Sequence, residues 1–447
     1  MRGATEIGAR GLKPGSRVGV IGGGPAGSFF GYFVLDLCSK LDVECELEIF
    51  EPRQFDQVAP HGCNMCGGII SESLVQLLAA EGIEIPDSVV QRGIDSYVLH
   101  TDEEAVRIDT PLHEKRIGAV HRGAGPRDLQ EVKWRSFDGH LLASARTAGA
   151  QVVSERGEAI EPAAEGWRII DKAGEARTYD LVVVATGINS GVLKHFEKLP
   201  VGYRPPKAAK TFIREYYLGE DVVARSVGNA MHVFLLDLPG LEFAALIPKG
   251  DYVTACLLGD DLDTGVLKRF LDSDAVRSCF PPDWEPSRHS CQCAPKICTE
   301  AAEHPYGDGL VFVGDAGATR LYKDGIGAAY RTAKAAARTV VFEGITKEDF
   351  ERHYLPVCRA IESDNRLGKA AFWAAGELQE RRFARRALVR MTEREQQGRA
   401  ELRMSRVLWD LFTGSAPYRE ILTVSVHPVF VARLLWHLAV ALVAPRR

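Results

Sequence analysis

Residues 59–74 read APHGCNMCGGIISESL. Cys63 and Cys66 stand as C-x-x-C and are followed at once by Gly67 and Gly68. Thiols at that spacing can close a redox disulfide, supply half of a metal site, or sit in a glycine-relaxed loop pressed against a ligand. Spacing alone does not choose. A second group, Cys279, Cys291, Cys293 and Cys298, spans the stretch CFPPDWEPSRHSCQCAPKIC. Four thiolates can hold zinc or an iron–sulfur cluster, and such a site could admit electrons. Their C-x-C and C-x4-C spacings match no standard ligand pattern, so ordinary loop cysteines are the first expectation and no metal site is assigned.

The elements that must position these groups come from the rest of the chain. At 447 residues, two closely packed domains or one large one are expected. Hydrophobic content of 46% and charged content of 26% are those of an ordinary globular protein, and a net charge of −5 excludes a general pull toward nucleic acid. The charge is uneven: residues 366–447 carry a net +8, which leaves −13 on the remainder and suggests a surface with its own partner. Ten cysteines without regular disulfide spacing fit a reducing compartment. The N-terminal stretch MRGATEIGARGLKPGSR has no apolar h-region, so a cytoplasmic location is expected.

RVGVIGGGPAGSFFGYFVLDLCS reads as a buried strand, a glycine turn and a long apolar helix. Gly22, Gly24 and Gly27 form G-x-G-x-x-G, with Pro25 and Ala26 opening the helix. A second strand, CELEIFEP, ends at Glu51. Gly22 permits the tight turn, Gly24 lets backbone N–H groups approach a pyrophosphate, and Gly27 lets helix and strand pack closely. The helix N-terminus supplies donors and partial positive charge, and Glu51 is placed to accept from ribose hydroxyls. Dinucleotide binding follows; which dinucleotide does not.

Three later stretches continue the pattern. Arg135–Val153 reads as a helix delivering into a strand. YDLVVVATGINS is a strand ending at Ala185-Thr186-Gly187. GDGLVFVGDAGATRLYKDGIGAAYRTAKAAART is a strand, then Gly314-Asp315, then Gly325-Ile326-Gly327 opening a small-residue helix. With its motifs in this order over roughly residues 16–345, the chain resembles the FAD-dependent oxidoreductases of the p-hydroxybenzoate hydroxylase superfold, and within them the geranylgeranyl reductase family. The resemblance implies an α/β fold. A discontinuous Rossmann-type FAD-binding domain (16–110, 121–190 and 300–345) would interleave with an antiparallel-sheet substrate domain (191–299, with part of 85–120). A helical C-terminal region (346–447) would follow. It also implies that Gly22, Gly24 and Gly27 hold the FAD pyrophosphate, Glu51 the adenosine ribose, and Asp315 the ribityl chain. Gly325-Ile326-Gly327 would run beneath the isoalloxazine, its helix N-terminus facing the ring's carbonyl edge. Arg135 lies near the family's FAD-contacting arginine in a different local register. Two arginines in HRGAGPR, Arg122 and Arg127, are candidates for phosphate or headgroup contact, a solvated loop being the alternative.

Leu238-Pro239-Gly240 and Pro248-Lys249-Gly250-Asp251 break residues 225–259 into strands. The second turn resembles the family's FP-x-G-D stretch, whose sheet covers the flavin and walls the substrate cavity. Cys66-Gly67-Gly68-Ile69-Ile70-Ser71 matches the family's cysteine–glycine loop near the flavin; Cys63 is a departure. Three readings stay open: Cys66 as a proton-delivering or cavity-lining group, Cys63 and Cys66 as a redox pair, and inert packing. No second glycine-rich unit for NAD(P)H is visible, and the W-x-W-x-I-P motif of flavin halogenases is absent.

Residues 381–412 show a basic helical pattern, and the final apolar run of about 15 residues is short of the roughly 20 that span a bilayer. Core closure, a dimer contact or membrane-surface contact through 381–447 are the expectations there. The chain is thus expected to reduce C=C bonds of an isoprenoid or other long apolar substrate by hydride transfer from reduced flavin. NAD(P)H or a reduced carrier protein would be the donor. An FAD-dependent monooxygenase and a flavoprotein electron-transfer subunit are the alternatives.

Overall fold

A computed structural model describes residues 11–63, 67–110, 117–127, 129, 131–259, 262–287 and 290–443. The strand Ser16–Ile21 is central to a six-stranded sheet. Its neighbours are Cys45–Phe50 on one side and Leu181–Val184 on the other, both parallel, with Gln151–Val153 and Leu310–Phe312 beyond them. A short antiparallel strand, Tyr306–Gly307, closes one edge. Runs such as VGVI and LVVV are apolar throughout because both faces are covered. One face packs Val18, Val20 and Ile49 against the helices Pro25–Lys40, Phe137–Thr147 and Gly325–Arg338. The other packs Ile21, Phe50 and Val182 against an antiparallel meander, Gly157–Pro162, Trp167–Asp171 and Ala176–Tyr179. The crevice at the carboxyl ends of Ser16–Ile21 and Leu181–Val184 is where such sheets bind nucleotides.

A second, eight-stranded sheet is built on Ala208–Tyr217, Tyr252–Leu258, Phe243–Pro248 and Ala230–Phe234, antiparallel in that order. Ser96–His100 and Ala105–Asp109 extend it from the segment around 85–120. Its inner strands, Ala230–Phe234, Phe243–Pro248 and Tyr252–Leu258, are also buried on both faces. Phe243, Ala245 and Ile247 point one way, Ala244 and Leu246 the other.

The C-terminal helices cover the face of Ala245 and Ile247, burying Leu388, Met391, Leu408, Trp409 and Phe412 against it. The basic stretch divides into two helices, Arg382–Gln396 and Arg403–Thr413. Gly398, at φ +71°, turns the chain. Buried Glu395 then caps the second helix, accepting from the Met404 and Ser405 N–H groups at 3.0 and 2.8 Å. Among the described residues no single helix is long and apolar enough to cross a membrane. Tyr418–Ser425 and Pro428–Val443 reach that mark only as a pair bent by 67°.

Candidate active site

A cavity of about 590 Å³ opens between the two sheets and the C-terminal helices. Its first half is the crevice at the carboxyl ends of Ser16–Ile21 and Leu181–Val184. Gly22, Gly24, Pro25 and Ala26 line it, with Glu51, Thr186 and Gly187 beside them. Gly22 takes φ +108°, and a Cβ there would lie 2.5 Å from the Ala185 carbonyl oxygen. Gly27 sits behind the lining, where a Cβ would collide with the Gly22 carbonyl. The Pro25–Lys40 helix has no side-chain cap at Gly24, so its first N–H groups are left for a ligand. Glu51 is held by N–H donation from Gly23 at 2.8 Å and Arg53 at 2.9 Å. Burial raises its carboxyl pKa, against the opposing pull of those donors and the Arg53 charge. The Thr186 hydroxyl is buried without a partner in the protein. A glycine floor, an uncapped helix, an acid at the second strand end and an orphaned hydroxyl together fit an FAD.

A second helix N-terminus, that of Gly325–Arg338, meets the same cavity through Gly325 and Ile326. Asp315 lines it too; burial pushes its carboxyl pKa up, while the Thr319 hydroxyl and Arg122 pull it down. Gly314 and Gly327 lie behind. Gly314, at φ +61°, donates to the Thr332 hydroxyl at 3.0 Å, and Gly327 packs on the Asp324 carboxylate. Arg135 is exposed and lies outside the lining; Arg122, from the same region, lines it and is held by Asp138 at 2.8 and 2.9 Å.

The loop before Gly325 carries what the sequence reading missed. Tyr322 and Asp324 both take left-handed φ, 59° and 53°, on either side of Lys323. Non-glycine residues hold that conformation only when their surroundings impose it. Here the imposition comes from the C-terminal region. Asn365 accepts from Leu321 N–H at 2.9 Å and donates to the Thr319 carbonyl at 2.8 Å. Buried Arg320 donates to the Gly414 and Ala416 carbonyls at 2.5 and 2.7 Å. The Tyr418 hydroxyl bonds to the Leu321 carbonyl. Lys323 is thereby fixed in the cavity wall with its ammonium 3.8 Å from the Phe243 ring centroid. Burial pushes its pKa down to about 8. The sequence signal was faint: one lysine in an apolar, glycine-bearing loop.

The second half of the cavity is apolar. Ile213, Met231, Phe243, Ala245 and Ile247 come from the large sheet, and Phe372 and Phe412 from the C-terminal helices. The Pro248–Asp251 turn anchors that wall. Lys249, with no exposed side chain, pairs with Glu215 at 3.2 Å, and Asp251 pairs with Lys133 at 2.9 Å. A Cβ at Gly250 would run into Trp134.

Cys66 lies outside the described residues. Cys63 lines a small pocket of about 30 Å³ with Cys291 and Cys293, beside His121 and Glu215. Burial, then neighbouring Cys63 and Cys291, push the Cys293 thiol to about 12. The four later cysteines do not converge. Cys279 is buried by His232, and the Cys298 thiol lies 3.6 Å from the Asp315 carbonyl. Cys256, which no motif marked, lines the main cavity.

No family model matches the chain, and no curated protein matches it. Solved structures do. A geranylgeranyl bacteriochlorophyll reductase-like protein from Thermoplasma acidophilum is similar at TM-score 0.62 and 16% identity, over 95% of this chain and 100% of that one. A flavoprotein/dehydrogenase from Cytophaga hutchinsonii gives 0.61 and 14%, over 94% and 98%. A flavin-dependent brominase, Bmp2, gives 0.56 and 14%, over 91% and 93%. The chain therefore has the fold shared by these flavoproteins, the superfold indicated by its ordered motifs.

Proposed function

We propose that the protein is an FAD-dependent oxidoreductase that reduces C=C bonds of an isoprenoid or similarly long apolar substrate. The observation that carries this is the continuity of one cavity from the glycine floor to a wall of Met231, Phe243, Ala245, Ile247 and Phe412. FAD bound in the first half supplies hydride transfer. The protein's own residues do the rest. Gly22, Gly24 and the Pro25 helix end bind the phosphates, and Glu51 the ribose. The apolar wall excludes water and orients a chain that offers no charge to grip. Lys323 holds a proton at Nζ, and at about 8 its pKa is matched to delivery near neutral pH.

The electron donor proposed is NAD(P)H or a reduced carrier protein. The last helix exposes Val429, Leu435, Trp436 and Leu442, a face suited to the surface of a membrane that holds a lipid substrate. Co-sedimentation with anionic vesicles checks this, and Trp436→Ala with Leu435→Ala should weaken it several-fold.

The test of function is anaerobic. The flavin is reduced with dithionite, geranylgeranyl lipids are added, and the flavin absorbance and product mass are followed. Reoxidation with a gain of two hydrogens per double bond supports the reading. Reoxidation by oxygen alone with an oxygenated product replaces it with a monooxygenase, and reoxidation by a carrier protein alone with an electron-transfer role.

A further inference from the structure

Strand alternation in the large sheet places two histidines on the face away from the cavity. Met231 lines the cavity, so His232 points to the other side, as does Phe234. His100, on the adjacent parallel strand, is opposite Phe234 and stacks on it, ring centroids 4.7 Å apart. The segment that follows the short helix Asp274–Arg277 brings Cys279 down onto this pair. His100 Nε2 lies 2.8 Å from His232 Nδ1, and the Cys279 sulfur 3.3 Å from His232 Nδ1 and 3.8 Å from His100 Nε2. All three residues are buried, at 7%, 7% and 2% exposure.

The tautomer of His232 is settled by its other nitrogen. Nε2 faces the Val227 carbonyl at 3.3 Å, and a carbonyl only accepts, so Nε2 carries the hydrogen. Nδ1 therefore carries a lone pair, and it accepts the His100 Nε2 hydrogen at 2.8 Å; a bound ion takes that hydrogen's place, and the hydrogen moves to His100 Nδ1. A backbone carbonyl fixing the far nitrogen is the usual second partner of a ligating histidine. Burial keeps both rings neutral, taking His100 to about 3 and His232 to about 4. The neighbouring imidazole adds to the fall at His100, and the Val227 carbonyl opposes it at His232. A tetrahedral centre with ordinary bond lengths wants about 3.3 Å between nitrogens and about 3.6 Å from nitrogen to sulfur. The imidazoles need part by only about half an ångström to reach this.

We propose that His100, His232 and Cys279 form a metal site for a soft d10 ion, Zn²⁺ or Cu⁺, separate from the cavity. Two imidazoles and one thiolate leave Cu⁺ with no net charge, which suits an apolar interior. Zn²⁺ keeps one positive charge and takes water or hydroxide as a fourth ligand. Either ion displaces one proton, from the Cys279 thiol to solvent, because the imidazoles are already neutral. Bound there, it fastens the 274–280 segment to the sheet.

The experiment uses the full chain, stripped with a chelator and then supplied with Zn²⁺ in one arm and anaerobic Cu⁺ in the other. About one equivalent should survive gel filtration in at least one arm, with about one proton released per ion at neutral pH. The arm that retains its ion tells zinc from copper. Cys279→Ala and His100→Gln should each lower retention at least tenfold, while Cys291→Ala combined with Cys293→Ala should leave it unchanged. Far-UV circular dichroism confirms folding of each variant; His232→Asn replaces either one that does not fold. Retention below about a tenth of an equivalent in both arms overturns the proposal. So does metal that survives Cys279→Ala, or that is lost with Cys291 and Cys293 instead.

Discussion

The two halves of the cavity are made in opposite ways. The nucleotide half comes from short local motifs: Gly22 to Gly27, Glu51 at a strand end, Thr186-Gly187 at another, and Gly325-Ile326 at a helix start. Each is a place where the backbone must turn or approach a ligand closely, and glycine is what such places demand. The apolar half comes from single side chains on strands and helices far apart in sequence, from Ile213 to Phe412. Any of them reads equally well as core. The first half is specified by backbone and the second by packing, so substitutions should act on them differently.

The largest effect is expected at the backbone-specified half. Gly27→Ala drives a methyl into the Gly22 carbonyl. Overpacking of this kind costs about 1–3 kcal/mol, and the shift it forces moves the turn proposed to bind the phosphates. The purified variant should carry no flavin and show no activity. A variant with full flavin content would break the comparison.

Arg320→Met comes next, because it cuts the tie between the halves. Arg320 holds the Gly414 and Ala416 carbonyls and lies 3.5 Å from Asp324 and 3.8 Å from Asp364. Removing one member of a buried charged group typically costs about 3–5 kcal/mol. Denaturant unfolding should show a loss of that order, with weaker FAD retention as the Tyr322–Asp324 loop relaxes.

Lys323→Met keeps the bulk of the side chain and removes its proton. A positioned acid contributes about 10²–10⁴-fold, so turnover should fall by that factor while flavin content holds. In the parent protein turnover should decline above about pH 8, as Lys323 loses its proton, and this limb should vanish in the variant. The stability effect has the opposite direction. The folded state binds this proton less tightly than the unfolded chain, whose lysines titrate near 10.4. Lys323 therefore opposes folding below about pH 8, and that opposition is relieved as pH rises through about 8 to 10.

Ala245→Leu is the smallest of the four and the sharpest. It fills part of the apolar wall and touches no glycine turn. Turnover of a long alkene should drop at least about tenfold, the low end for one methylene misplaced in a pocket, with the flavin spectrum unchanged. Equal loss of flavin and turnover would show that the halves are not separable.

This division also explains how much was legible in the sequence. The Gly22–Gly27 turn, Glu51 at the strand end and the order of strands could be read because each obeys a local rule, whereas Asp315 and Gly325–Gly327 came only with the family resemblance. The strands at 225–259 were marked by their two turns. Lys323 could not be read, because its chemistry depends on Asn365, Tyr418 and the Gly414 and Ala416 carbonyls, the last two gripped by the loop's own Arg320, clamping the loop from the C-terminal region. In sequence that region left core closure, a dimer contact and membrane-surface contact open; in the structure it roofs the cavity and fixes its lysine. Arg135 shows the reverse: a residue suggested by position that folds to the surface, while Arg122 lines the crevice. The His100–His232–Cys279 triad was equally hidden, since 132 positions separate its histidines and only the pairing of two parallel strands joins them.

The central claim, that the crevice on Gly22, Glu51 and Asp315 is a cofactor site, is tested most directly by the cofactor itself. The protein is purified, denatured, and the released chromophore identified by mass and quantified. The account predicts FAD, at about one per chain, either as purified or after titration with free FAD. A chain that releases no flavin and binds none on titration would contradict it, and with it the oxidoreductase reading built on that site.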